Sequence, residues 1–303
     1  MSTEDKYVWC RPMGGLNDNL CQIAYCVAYC ESYHRTLVLN DIWGRLFDWS
    51  LGLKLVEPQN IRIIKKTPDL FEKFKTLSCF PKELEFSNFD YKANTCLITR
   101  KICIQDTATP LCFDLSKKYD ETLLVHQQCG GGVESRKALQ YFQVNENIAE
   151  QVQSLRKLYG DYTAVHIRNT DYISDYVELL QQVNSEDDAE KILICSDDHD
   201  VKKAAQEILK DKYVSVVDMP LLAAKGVGLH HNSKNTPEFI VKSALLELCM
   251  LAYGKKLVKC PIKGYYNESS IGNTVKHSGF SNLAAYLHSN KTELQRFARQ
   301  NDE

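Results

Sequence analysis

Apolar residues along this chain gather into short runs bounded by polar clusters, and the rhythm of the runs changes near its middle. Tyr7–Cys10 reads as a short strand, Pro12–Asn19 as a Gly- and Asn-rich loop, Leu20–Tyr33 as a helix and Thr36–Asn40 as a second strand, a βαβ opening. Residues 41–125 are less regular, with Ile61–Ile64 and Cys96–Ile104 reading as strands between aromatic helical or loop pieces. The Gly130-Gly131-Gly132 run and the polar stretch to Glu146 read as a seam between halves. Beyond it, strands at Thr163–Ile167, Lys191–Cys195, Val214–Val217 and Lys256–Lys259 alternate with helical segments, as in a parallel, doubly wound sheet. The helix before the last of these is well punctuated, with Thr236 as N-cap, Pro237 at the first helical position and Gly254 just past the end. A final amphipathic segment, Asn282–Ala298, could pack on either half. The pattern predicts an α/β chain of two domains, 1–150 and 151–303, without internal repeats.

Composition narrows the functional classes. The 303 residues are 44% hydrophobic, and 37 Lys plus Arg nearly cancel 39 Asp plus Glu, so there is no general polycation to grip nucleic acid. The start, Met1–Lys6, is polar and acidic rather than signal-like, and no run reaches the roughly 18 apolar residues of a membrane span. The longest apolar stretch, Leu245–Tyr253, is interrupted by Glu247 and suits a buried helix. A cytoplasmic protein is expected. The twelve cysteines are scattered among apolar residues and read as reduced, buried thiols; Cys21, Cys26 and Cys30 lie at helical spacing but form no CxxC, so no zinc site is expected. Without a secretory route, the sequons at Asn267 and Asn290 carry no information.

Four segments could carry chemistry. The strand over Ala164–Ile167 ends in His166, Arg168, Asn169, Thr170 and Asp171, and ligands of parallel sheets sit at that carboxyl edge. His166 and Arg168 are two apart and share a strand face, where a guanidinium can grip a phosphate and an imidazole can add a donor. The alternative is that Arg168 pairs with Asp171 as a structural bridge and His166 is a satisfied core histidine. Ile194-Cys195-Ser196-Asp197-Asp198-His199-Asp200 is a second strand end; its acids can cap the next helix, or one can accept from a guanine edge. Asp198-His199-Asp200 is formally a DxD, too short a match to argue for a metal. His277-Ser278-Gly279-Phe280-Ser281 precedes the last helix and suits either a diphosphate or a plain Ser N-cap. Gly14-Gly15-Leu16-Asn17-Asp18-Asn19 is a flexible turn after the first strand. Gly226-Val227-Gly228 lacks the third glycine of a dinucleotide fingerprint and no GK[ST] follows a Gly-rich loop, so NAD and P-loop readings fail.

In this order the segments resemble the superfamily of α-1,2-, α-1,6- and protein O-fucosyltransferases. Gly14-Gly15-Leu16-Asn17-Asp18-Asn19-Leu20-Cys21-Gln22 is similar to its GGLGNQLFQ-like opening, and His166-Ile167-Arg168-Asn169-Thr170-Asp171 to its HxRRxD motif. Cys195-Ser196-Asp197-Asp198 resembles its ASDD-like strand end and Ser278-Gly279-Phe280-Ser281 its phosphate turn. The resemblance covers residues 7–45 and 160–290. It implies a GT-B architecture, two Rossmann-like domains facing across a cleft, the N-terminal one on the acceptor side and the C-terminal one binding GDP-fucose, with a last helix that could pack back on the first domain. It further implies an inverting, metal-independent transfer of fucose to a glycan or glycoprotein hydroxyl, with no cofactor.

Under that resemblance Gly14, Gly15, Asn17, Asn19, His166, Arg168, Asp197, Ser278, Gly279, Phe280 and Ser281 would bind the donor. Arg168 would neutralise the β-phosphate, and Asp197 would accept from guanine N1 and N2. Two positions depart from the pattern. Asn169 stands for the second motif arginine and Asp18 for the motif's Asn. Compensating charge could come from Lys263, His230 or His231. For the base, Asp171, Asp175 and Glu178 all follow the strand closely enough to reach; the resemblance places an acid at Asp171, but pairing with Arg168 would make it a poor base, which favours Asp175. The rival readings are a transferase using a different GDP- or UDP-sugar and a catalytically silent glycan- or protein-binding relative.

Overall fold

The structure, a computed structural model, describes residues 5–39, 51–56, 61–85, 87–96, 101–216, 235–265 and 277–299. The chain divides into two compact units, Met1–Trp43 with Leu55–Phe142 and Gly44–Lys54 with Gln143–Glu303. In chain order the elements are β1 (Tyr7–Cys10), α1 (Leu16–Tyr33), β2 (Thr36–Leu39), β3 (Leu53–Leu55), β4 (Ile63–Lys65), α2 (Pro68–Phe74), β5 (Cys79–Phe80), β6 (Ala93–Thr95), β7 (Ile102–Ile104), β8 (Leu123–His126), α3 (Ser135–Leu139) and β9 (Phe142–Val144). They continue with α4 (Glu146–Tyr159), β10 (Thr163–Ile167), β11 (Tyr172–Ile173), α5 (Tyr176–Glu186), β12 (Ile192–Ser196), α6 (His199–Leu209), β13 (Tyr213–Val214), α7 (Pro237–Tyr253), β14 (Lys256–Lys259), β15 (Gly264–Tyr265), α8 (Gly279–Ser289) and α9 (Lys291–Ala298). The division falls at Phe142, ahead of the expected 150, which leaves α4 whole in the second unit.

The first unit is built on a five-stranded sheet in the order β4-β2-β1-β8-β5, parallel at every pairing. β1, β2 and β8 are buried at every position, which is why they read as unbroken apolar runs rather than alternating ones. One side of the sheet carries an aromatic core: Trp9 meets Phe89 edge-on at 5.1 Å and Phe71 at 5.7 Å, and Phe74 tilts against both Tyr7 and Trp9. Such ring pairs add about 0.5–1.5 kcal/mol each beyond the area they bury.

Helix α1 begins at Leu16, four residues before the expected start, because the Asn-rich turn is the helix's own first turn. Asn19 Nδ2 donates to the carbonyls of Gly14 and Gly15 at 2.9 and 2.8 Å, and the buried Asn17 donates to Gly132 O and accepts from Ser135 Oγ. Gln22 donates to Gly130 O at 2.7 Å. The triple-glycine run expected at the seam is therefore part of the first unit, stitched to α1. Gly131 runs close enough that a Cβ there would lie 2.1 Å from the Cys21 Cβ. The strand expected over Cys96–Ile104 is an antiparallel hairpin, β6 with β7, and residues 97–100 lie outside the described residues.

The second unit carries a parallel sheet in the order β13-β12-β10-β14. β10 and β14 have the expected bounds, and β12 is displaced by one residue. Its core is aliphatic, with Val165, Ile167, Ile192 and Ile194 packed against Leu180, Val201 and Ala205. Helix α7 starts and ends as predicted, with Thr236 Oγ1 accepting from Phe239 N and Pro237 in the first turn. Its one buried acid, Glu247, meets the buried Lys202 of α6 at 3.2 Å. The segment expected as one helix over Asn282–Ala298 is two, α8 and α9, because the Asn290 side chain caps the second by accepting from Glu293 N. Both pack on α7 of their own unit. Among the described residues no helix is long and apolar enough to cross a membrane.

Candidate functional site

The order of the second sheet reverses beside β10: its successor β12 lies on one side and β14, reached by a long crossover, on the other. In open parallel sheets the crevice at the carboxyl ends of such strands is where ligands enter. The predicted His166–Asp171 cluster stands there. His166 is buried, and its Nδ1 shares a 2.6 Å hydrogen bond with Ser281 Oγ while its ring tilts over Phe280 at 5.2 Å. Burial above all, with the Arg168 charge second, pulls its pKa down to about 3, so it is a neutral imidazole at physiological pH.

Arg168 is largely buried and held on two sides. Nε and Nη2 donate to the two oxygens of Asp171 at 2.7 and 3.0 Å, and Nη1 lies 2.9 Å from Asp197 Oδ2. Burial opposes its charge, but Asp197 and Asp171 outweigh it and raise its pKa above the ordinary arginine value. The structural bridge weighed as the alternative is thus present, and the fork still has two N–H groups beyond those spent on the carboxylates.

Asp197 is more than a strand-end acid. Oδ1 accepts from Asn169 N at 3.1 Å and Oδ2 from Thr170 Oγ1 at 2.5 Å, besides the Arg168 contact. Both oxygens are engaged within the chain, so its first role is to brace the loop after β10. Asp198 acts as the N-cap of α6 by accepting from Asp200 N, and its other oxygen accepts from Asn169 Nδ2 at 2.7 Å. Asn169 Oδ1 in turn accepts from Ser174 N and Oγ. The residue standing for the second motif arginine is therefore a buried amide pinning two loops. An arginine could not make these bonds, since it has no acceptor.

The turn before α8 completes the edge. Ser278 Oγ accepts from Ser281 N at 3.0 Å as the N-cap, and the first-turn N–H groups of Gly279 and Phe280 have no capping side chain among the described residues. Lys259, which the sequence reading took only as the end of a strand, lies beside His166 in register and donates to Asn282 Oδ1 at 3.2 Å. Its signal was positional: the last residue of β14 abuts the same edge. Lys263, one of the expected compensating cations, instead forms an ion pair with Asp175, the other candidate base. His230 and His231 lie outside the described residues.

The structure thus brings together His166, Arg168, Asp171, Asp197, Ser278, Phe280 and Ser281 in one unit. Gly14, Gly15, Asn17 and Asn19 cluster in the other, at the start of α1, where Gly14 adopts φ +97° and a Cβ there would meet Asp18 Oδ2 at 2.6 Å. Among the described residues, no three His, Cys, Asp or Glu side chains are grouped to hold a metal ion.

No protein-family model matches the chain, and no curated protein matches it. Solved structures do. The crystal structure of the α-1,6-fucosyltransferase NodZ co-crystallized with GDP matches with a TM-score of 0.62 and 16% identity, over 94% of this chain and 93% of that chain. That of fucosyltransferase NodZ from Bradyrhizobium matches at the same TM-score of 0.62 and 16% identity, over 94% of each chain. NodZ soaked with GDP-fucose matches at 0.59 and 16% identity, over 93% of this chain and 92% of that chain. With its two Rossmann-like sheets, the chain has a GT-B-like α/β fold, the fold of the NodZ structures it matches.

Proposed function

We propose that the protein is a glycosyltransferase that moves L-fucose from GDP-fucose to a hydroxyl of a glycan or glycoprotein, with inversion and without a metal ion. The observation that carries this reading is the edge of β10. A neutral histidine, an arginine oriented by two carboxylates and the N-terminus of α8 share one sheet edge, in a fold matched by a structure co-crystallized with GDP. A departing diphosphate is stabilised by oriented, preorganised N–H donors, and this edge supplies them from the two Arg168 N–H groups its carboxylates leave unspent and from the first turn of α8.

In this reading the second unit holds the donor and the first unit the acceptor. Arg168 and the Gly279 and Phe280 N–H groups take the diphosphate, with Ser278 and Ser281 fixing the turn and His166 fixing Ser281. Asp197 accepts from guanine only through lone pairs its loop bonds leave open, so its larger contribution is to aim Arg168. The acceptor oxygen attacks the anomeric carbon as the bond to the β-phosphate oxygen breaks, and a carboxylate takes the hydroxyl proton. Asp175, whose ion pair with Lys263 is solvent-exposed, suits that role better than Asp171, which holds the largely buried Arg168 through both oxygens. Gly14, Gly15, Asn17 and Asn19 shape the turn that opens α1 in the first unit.

A second reading, transfer of a different nucleotide-linked sugar, is favoured by one observation: Asn169 is a buried amide where the related motif has a charge. Calorimetric titration with GDP, UDP and ADP, each with and without EDTA, separates the readings. GDP binding indifferent to EDTA is the expected result. A preference for UDP selects the second reading, and binding that requires metal or is absent for all three overturns the first.

A further inference from the structure

The carboxyl edge of the first sheet carries its own charged cluster, independent of the β10 site. Arg11 follows β1 directly and Lys66 follows β4, so the two flank the end of β2. Both reach over the same indole: Arg11 Cζ lies 4.9 Å and Lys66 Nζ 5.4 Å from the Trp9 ring centre, and Lys66 Nζ is 4.0 Å from that of Phe71. Half-buried Tyr91 lies under Arg11 and Phe71 under Lys66, and Phe89 packs edge-on against the same Trp9.

We propose that this edge binds an acidic saccharide, Arg11 and Lys66 taking a sugar carboxylate and the aromatic side chains taking the apolar face of the ring. Three observations support the assignment. First, neither cation meets a carboxylate among the described residues. Arg11 spends Nη1 on Tyr91 Oη, which itself donates to Gln127, and its buried Nε has no partner. A guanidinium with most of its five donors unspent is poised for a planar, two-oxygen ligand. Second, both cations lie within 5.4 Å of the same Trp9 ring centre, and their charges act on each other: burial first and Arg11 second lower the Lys66 pKa. Cations that merely cover an aromatic core keep their heads in water or beside an acid. Third, the cluster stands at the carboxyl edge of a parallel sheet, and Arg11 follows β1, one of the two strands between which the order reverses, where this architecture admits ligands.

The identification of the ligand as a sugar, rather than a bare anion, rests on the glycosyltransferase reading. The test uses the full chain and a tetrasaccharide of alternating glucuronate and N-acetylglucosamine, titrated by calorimetry. The same tetrasaccharide with its carboxylates reduced to alcohols, inorganic phosphate and GDP are titrated in parallel. The acidic tetrasaccharide is expected to bind, to weaken at least tenfold in Arg11→Met and in Lys66→Met, and to weaken with added salt, while GDP titrates unchanged in both variants. The assignment is overturned if the reduced sugar binds equally well, if phosphate alone binds as tightly as the tetrasaccharide, or if both variants bind as the parent does. It is also overturned if the acidic sugar does not bind while GDP does, a result that leaves the donor reading standing. Loss of GDP binding alone, with the sugar still held through Arg11 and Lys66, overturns the donor reading and leaves this site in place.

Discussion

Arg11 and Arg168 occupy comparable places, each following the strand at which its own sheet reverses order, yet their surroundings are opposite. Arg168 stands between Asp171 and Asp197 and is neutralised before any ligand arrives. Arg11 stands over Trp9 and beside Lys66, with no carboxylate among the described residues. The comparison teaches that a fixed cation can be positioned in two ways. Carboxylates orient it and keep it charged, at the cost of part of its attraction for an anion. Aromatic packing leaves the attraction whole and leaves the protein with uncompensated charge.

The largest expected effect comes from breaking the first arrangement. Arg168→Ala would leave Asp197 buried beside no counter-charge, which typically costs about 3–5 kcal/mol for a fully buried pair and somewhat less here, where Asp171 is more exposed. Urea unfolding should show a loss of about 2–4 kcal/mol, and Arg168→Lys, which keeps the charge but not the fork, should lose less. GDP affinity is expected to fall at least 100-fold in Arg168→Ala. A stability change below about 1 kcal/mol, the size of an exposed pair, would mean the two carboxylates are not held by this arginine.

A pH titration compares the two units directly, because each has one buried histidine at a strand end. His126 closes β8, with Nε2 2.7 Å from Gln22 Oε1, and burial first, then Lys101, lowers its pKa to about 4. His166 is lowered to about 3. Both stay neutral when folded and take up a proton when unfolded below about pH 6.5, so stability is full above that pH and is lost as pH falls toward 4 and 3. At pH 5 each should account for about 2 kcal/mol. His126→Gln and His166→Asn should each remove one share of the slope between pH 7 and 5. An unchanged slope in either would show that its histidine is charged in the folded protein.

What the sequence made legible follows the physics of each region. β10 and α7 were readable because a fully buried parallel strand is a continuous apolar run and because Thr236 and Pro237 act within one helical turn. The start of α1 was misplaced because Asn17 and Asn19 look like loop residues and are in fact buried amides serving the glycine-run carbonyls. The stretch between β2 and β8 was obscure because its strands are two or three residues long and its core is drawn from scattered rings. In the site, the Arg168–Asp171 contact could be read from spacing. The Asp197 brace, the Asn169 staple and the place of Lys259 depend on strand register across the sheet, which no local pattern carries.

The Asn169 staple sharpens the comparison at the β10 edge. Asn169→Ala should cost about 1–2 kcal/mol through the lost bonds to Asp198 and Ser174. Asn169→Arg, which restores the motif's charge, should be more destabilising than Asn169→Ala, since its head would have to leave the buried pocket or displace Ser174. If Asn169→Arg instead strengthens GDP binding at no cost in stability, the amide is a substitute for charge and not a structural pin.

The smallest effect tests the unit with unbalanced charge. Lys66 is half-buried against Phe71 and lies with Arg11 near the Trp9 ring, so Lys66→Met keeps the packing stem and removes a repulsion. Its cation–π contact is worth about 0.5–1 kcal/mol, comparable to what the desolvated, repelled charge costs. The variant should therefore lie within about 0.5 kcal/mol of the parent in urea, and any gain should shrink in high salt as the repulsion is screened. A lysine kept for stability would behave otherwise: its loss would destabilise by more than about 1 kcal/mol at every salt concentration. Neutrality of Lys66→Met beside a large loss for Arg168→Ala would mean that one sheet edge is held together by its charges, while the other holds its charges in spite of themselves, as a site waiting for an anion does.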